Sequence, residues 1–135
     1  MELPQEYIRY PNPASEQALA RRFGLHWHKN DQDWELIVAD GALVPQLMRA
    51  YGEPGMDEDT KFVLMMLLVA CFDELANEED ISTNVDWLKC QTILRKEFWL
   101  HITTIHYWSA LDSEEAWSVS PGLRGIWDEV KHHFY

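Results

Sequence analysis

An all-α fold is what this sequence predicts: a single compact domain, spanning residues 1–135, of about five to seven stacked antiparallel helices around a buried central helix near residues 58–77. Three observations carry the expectation. Apolar residues recur in threes and fours along most of the chain, the period of a helix with one inward face. Oxygen-bearing caps, prolines and glycines separate the periodic stretches. From Asp57 to about Asn77 there is neither glycine nor proline, and apolar residues cover most faces, the pattern of a helix enclosed by others.

The elements follow in order. Asn12-Pro13 and then Ala14 to Phe23 with Gly24 give an oxygen cap, a proline at the first position and a glycine past the end, so a first helix is expected there. Arg21 and Arg22 sit where positive charge complements the helix dipole. Asn30 to Ala39 reads as a short helix capped by Asn30, with Trp34, Ile37 and Val38 inward, although Leu36-Ile37-Val38 also suits a strand. Between Gly41 and Gly52 the spacing of Leu43, Leu47 and Tyr51 predicts a third helix, with Pro45 confined to its first turn. Asp57 is the expected cap of the central helix, supported by Glu58 and Asp59 in its first turn. Glu78-Glu79-Asp80 closes it.

Thr83 with Asp86 resembles a capping box, and a helix is expected from Val85 onward through Leu94, Ile102 and Ile105 to Leu111, kinked near Phe98. Asp112 with Glu115 repeats the cap pattern before a further short helical turn. Ser120-Pro121 then starts a last helix using Leu123, Trp127 and Val130. The tryptophans at 87, 99, 108, 117 and 127 vary in spacing, so no internal repeat is read from them.

The chain has the modal length of one domain, and its 47% hydrophobic and 13% aromatic content is far above that of a disordered acidic tail. Its 23 acids against 11 bases leave a formal charge of −12. Such a field repels phosphate backbones and anionic membranes and attracts basic partners. The expectation is therefore a basic protein partner, with no direct nucleic-acid and no membrane binding. Cys71 and Cys90 lie within apolar helical pattern and read as reduced, buried thiols, which suits a cytoplasm. The first residues lack a basic region followed by an apolar stretch, so no secretory signal is expected. The most apolar run, Phe62 to Phe72, is 11 residues long, against about 20 needed to span a bilayer.

Candidate chemistry is sparse. Glu97 and His101 share a helical face, with His106, His132 and His133 as further donors, yet neither a paired Glu-x-x-His nor a His-Glu-x-x-His motif is present, and a local ion pair is the simpler reading. His26-Trp27-His28 fits a loop packed on a core. Asp31-x-Asp33-x-Glu35 resembles the start of a calcium loop, but Leu36 stands where glycine is required. No phosphate-binding glycine loop or nucleophile elbow occurs. Neither an enzymatic activity nor a cofactor is expected. The alternative is a helical metal- or small-ligand-binding protein using His26, His28, His101, His106 and Glu97.

The acids are more informative. Asp31, Asp33, Glu35 and Asp40 form one group; Asp57, Glu58 and Asp59 a second; Asp73, Glu74, Glu78, Glu79 and Asp80 a third; Asp112, Glu114 and Glu115 a fourth. Capping and solubility explain several of them. Any two or three groups gathered at one end of a helical stack would make a negative surface that speeds encounter with a basic partner. Tryptophan and tyrosine would supply its anchors. Of the seven tryptophans, Trp27, Trp99 and Trp117 are the least well placed on inward stripes. The candidate partner-binding set is Asp31, Asp33, Glu35, Asp57, Glu58, Asp59, Glu78, Glu79, Asp80, Asp112, Glu114, Glu115 and Trp117.

The stretches Tyr10-Pro11-Asn12-Pro13 through Arg22-Phe23-Gly24-Leu25, Gln32-Asp33-Trp34-Glu35, Lys61-Phe62-Val63-Leu64-Met65 and Tyr107-Trp108-Ser109-Ala110-Leu111-Asp112 carry a resemblance in style over much of the chain. With its size and charge, the chain resembles the small acidic helical immunity proteins of bacterial toxin systems. That resemblance implies a cytoplasmic protein that binds a cognate toxin and covers its basic channel or cleft. Against a nuclease, whose cleft must attract phosphate, an acidic inhibitor imitates the substrate's charge. A homodimeric adaptor is a third expectation.

Overall fold

A computed structural model describes residues 2–135, and among them it contains seven α-helices and no strand. The helices are α1 (Pro13–Phe23), α2 (Trp34–Val38), α3 (Val44–Tyr51), α4 (Glu58–Glu78), α5 (Val85–Lys96), α6 (Phe98–Ser109) and α7 (Ser120–Val130). Single 3-10 turns occur at Gln5–Tyr7, Gly41–Leu43 and Lys131–His133.

Local chemistry starts and stops most of these elements. The Asn12 side chain accepts from the Ala14 N–H, and Gly24 ends α1 at φ 67°, a conformation that costs a residue with a Cβ but not glycine. The Asp57 carboxylate accepts from Thr60 N–H at the head of α4, and the Asn84 side chain accepts from Trp87 N–H at the head of α5. The α5 cap is thus Asn84 rather than Thr83. Its amide oxygen reaches the third helical N–H directly, leaving Thr83 outside.

Helix α4 is the axis of the domain. Phe62 to Asp73 are buried apart from Met66, and α1, α2, α3 and α6 pack around it. Helix α5 runs back from the level of Ile81 to that of Lys61, where Glu97 meets the lysine. Helix α6 then runs alongside α4 until the following loop returns the Val119 N–H to the Asp73 carboxylate at 3.2 Å. Helix α7 comes back against α6, its Arg124 donating to the carbonyls of Ser109 and Ala110. Arg95 of α5 is joined to Glu129 of α7 at 2.8 Å.

Four expectations are corrected. The short second helix begins after Asp33, not Asn30, because Asp33 adopts φ 53° and its carbonyl accepts from Leu36 and Ile37. It is only five residues long, so Trp34 turns inward while Ile37 points out at 55% exposure. The kink near Phe98 is a full break: Glu97, at φ −111° and ψ 34°, ends α5 and precedes α6. Residues 112–115 form bends rather than a helical turn; Ser113 spends its hydroxyl on the Glu115 N–H and carbonyl instead of capping a helix.

Candidate interaction surface

Two of the acidic groups lie at opposite ends of α4, about 30 Å apart at 1.5 Å per residue, and the fold treats them differently. At the N-terminus, Asp57 is the cap, and Asp59 bonds Arg9 at 2.8 Å and Asn12 at 3.4 Å, with Glu58 3.8 Å from the same arginine. These bonds hold the Asp59 carboxyl below its usual range. Negative charge is also favoured by the helix dipole at this end. The cap, the helix dipole and the contacts with Arg9 thus give Asp57, Glu58 and Asp59 each a part in folding.

At the C-terminus of α4 the dipole is reversed, and no basic residue occupies the last turn. Glu78 and Glu79 are there against the dipole's preference, and they are exposed. Asp80 accepts from the Ser82 N–H, which lowers its pKa and shapes the turn. Glu79 and Asp80 line an open groove of about 320 Å3 together with Ser118, Val119 and Gly122, so this acidic turn borders the segment joining α6 to α7.

The same segment carries the fourth group. Asp112 and Glu115 line a second groove of about 400 Å3 with His106, Tyr107, Leu111 and Trp117. The Tyr107 and Trp117 rings are stacked at 6.2 Å and 25°, with Trp117 also packed on Trp108 at 5.2 Å. Trp108 is buried, but Tyr107 and Trp117 remain 48% and 41% exposed. The Ser120 hydroxyl places the loop by accepting from Trp117 N–H and donating to the Trp108 carbonyl.

Two members of the first acidic group act on Tyr107 through their charge. The Tyr107 phenol is pushed up by partial burial, then by the charges of Asp33 and Glu35. Glu35, expected on the partner surface, is itself buried: α2 is too short to keep both Trp34 and its neighbour off the core. Its carboxyl is raised by burial, with Asp33 and Glu16 adding repulsion. Glu16 is raised for the same first reason, although the Trp27 indole N–H donates to it at 3.3 Å. Asp31 Oδ2 is buried without a hydrogen-bond partner, 3.9 Å from His26 Nε2. Three of the four acidic groups therefore meet the end of α6 or the α6–α7 loop: the third at Ser118 and Val119, the fourth beside the Tyr107–Trp117 pair, and the first through the charges that act on Tyr107.

Glu97 and His101 meet through Tyr51, but His26 and His106 lie elsewhere. His26 lies beside Asp31, and the His106 ring meets the edge of Trp127 at 5.0 Å. His101 is fully buried in a different place, and no group of three metal-ligating side chains forms among the described residues. The expected Glu97–His101 ion pair is replaced by a bridge. The Tyr51 hydroxyl is 2.9 Å from Glu97 Oε2 and 2.7 Å from His101 Nε2, and Lys61 Nζ is 3.5 Å from Glu97 Oε1. Burial first, and then Lys61 and Arg9, push the imidazole down to about 3, so it is neutral. Each cysteine is buried with its thiol pushed up by desolvation, which removes the nucleophilic thiolate.

Of the three tryptophans placed poorly on inward stripes, Trp99 and Trp117 are exposed and Trp27 is half-buried, whereas Trp34, Trp87, Trp108 and Trp127 are core. Tyr107 and the Tyr51–His101 bridge were not foreseen. Tyr107 lies on a helix whose every face carries an apolar or aromatic residue, so spacing alone does not separate the outward ring from the inward ones. Comparison with known protein families, with characterised proteins and with solved structures yields no match.

Proposed function

We propose that this chain is a non-enzymatic protein-binding domain acting in the cytoplasm, an immunity protein that neutralises a cognate bacterial toxin by covering its basic active-site surface. One observation carries the reading: the exposed acids Asp112 and Glu115 border an exposed pair formed by Tyr107 at the end of α6 and Trp117 in the α6–α7 loop, and a second acidic turn, set against the α4 dipole, borders the same loop at Ser118 and Val119. Acids set against a helix dipole cost stability, and stacked rings left in water forgo burial energy. A basic partner offsets both costs at once. Charge complementarity speeds the encounter, and the aromatic pair provides area to desolvate at its centre. A nuclease is the target class favoured by charge, since its cleft must be positive to hold phosphate. No helix among the described residues is long and apolar enough to cross a membrane.

The test is binding to candidate toxins encoded beside the gene, measured with purified proteins, together with rescue of growth when toxin and this chain are co-expressed. A cognate toxin should bind more tightly than micromolar and lose its activity on binding. Weaker than micromolar affinity for every neighbouring candidate would remove the support for this function.

A further inference from the structure

We propose that the groove at the C-terminal end of α6, lined by Tyr107, Leu111, Asp112, Glu115 and Trp117, receives an arginine side chain presented on an exposed segment of a partner protein. The inference rests on the protein-binding reading above and narrows it to one anchor.

The occupant is argued from the chemistry of the walls. Tyr107 and Trp117 are tilted by only 25° and both are substantially exposed, so a planar group can lie over the rings. Aromatic faces attract cations. Asp112 and Glu115 line the same groove, and Asp33 acts on Tyr107 from the side of α2. With a chain charge of −12, a carboxylate or phosphate ligand is disfavoured there. The groove volume of about 400 Å3 suits a long side chain rather than a folded element.

Arginine fits better than lysine because its planar guanidinium both stacks on an aromatic face and bonds a carboxylate through two N–H groups. Arg124, which bonds the end of α6, does not fill this role. It donates from Nε to the Ser109 carbonyl at 2.7 Å and from Nη2 to the Ala110 carbonyl at 2.9 Å, so its guanidinium is held by the end of α6. His106, which also lines the groove, turns its ring to Trp127.

The experiment is a titration of the full isotopically labelled chain with capped hexa-arginine, hexalysine and hexaglutamate peptides, followed by amide and indole NMR shifts. The expected result is that hexa-arginine moves the Trp117 indole and the amides of residues 107–117, hexalysine binds there more weakly, and hexaglutamate does nothing. Trp117→Leu should weaken hexa-arginine binding about three- to fivefold. Trp117→Phe, which keeps a ring, should retain most of it, and Glu58→Gln at the far end of α4 should leave it unchanged. Thermal melts of each variant separate loss of the site from loss of the fold.

Shifts centred on residues 57–59, equal responses to arginine and lysine, or unchanged binding by a folded Trp117→Leu would each overturn the proposal. So would shifts at the groove that depend on protein concentration without peptide, which would assign it to a second copy of the chain. The two readings fail separately. A groove that binds arginine while no neighbouring toxin binds leaves the anchor and removes the immunity function; a toxin bound equally well by Trp117→Leu does the reverse.

Discussion

His101 is neutral because of where it is, and that location has a pH signature. Its folded pKa is depressed to about 3 by burial, whereas in an unfolded chain a histidine titrates near about 6.5. The unfolded state therefore binds the extra proton between those values, and the contribution of the buried ring to stability is full above about 6.5 and lost as pH falls toward the folded value. The buried acids Glu16, Glu35 and Asp73 act in the opposite sense, since raised folded pKa values favour the folded state as pH falls. A comparison with His101→Gln isolates the histidine. Between pH 6 and pH 4, urea unfolding should show the natural chain losing stability relative to the variant at a slope approaching about 1.4 kcal/mol per pH unit. Parallel curves would mean that the ring is not held neutral. The four-residue spacing of Glu97 and His101 was legible as one helical face, but not Tyr51, 50 positions from His101 in the chain, whose hydroxyl stands between them.

At the scale of elements, α7 contains two glycines with opposite roles. A Cβ on Gly122 would lie 2.6 Å from Gln91 Nε2 and 2.9 Å from Trp87 Cζ2, so α7 approaches α5 closely only because that methyl is missing. The glutamine can swing away, but Trp87 is buried and packed on Phe72 at 4.9 Å. Gly122→Ala should therefore destabilise by about 1–3 kcal/mol through overpacking. Gly125, with nothing within 4 Å of its Cβ position, should behave as an exposed helix glycine, and Gly125→Ala should stabilise by about 0.5–1 kcal/mol. Denaturant midpoints of the two variants check both signs, and equal shifts would refute this packing of α5 on α7. Nothing in the sequence around either glycine distinguishes them, because Gln91 and Trp87, which crowd Gly122, lie some 30 positions away in the chain. The caps at Asn12, Asp57 and Asn84 act within a few residues and were readable or nearly so, whereas the break at Glu97 coincides with its side chain reaching Tyr51 and Lys61 on other helices.

For the molecule as a whole, a charge of −12 on 135 residues predicts opposite salt responses for folding and association. Raising ionic strength screens self-repulsion, so thermal stability of the isolated chain should rise between low salt and about 0.5 M, where the Debye length falls from tens of ångströms to a few. The same screening should weaken a complex with a basic partner, mainly through a slower association rate. Melting curves and stopped-flow association at matched salt concentrations read the two effects. A rate that does not fall with salt would place the acidic face outside the interface. From residue order alone come the helical class, the central position of α4, most helix boundaries and the sign of the field, because period, caps and net charge are local or additive properties. The tertiary structure decided where the acids stand: Asp57 to Asp59 meet a cap and an arginine, Glu35 is buried, and Asp33, Asp112 and Glu115 are drawn toward one tyrosine–tryptophan pair. That selection depends on how α2, α6 and the α6–α7 loop meet in space, and contacts between residues some 80 positions apart leave no periodic trace in a single sequence.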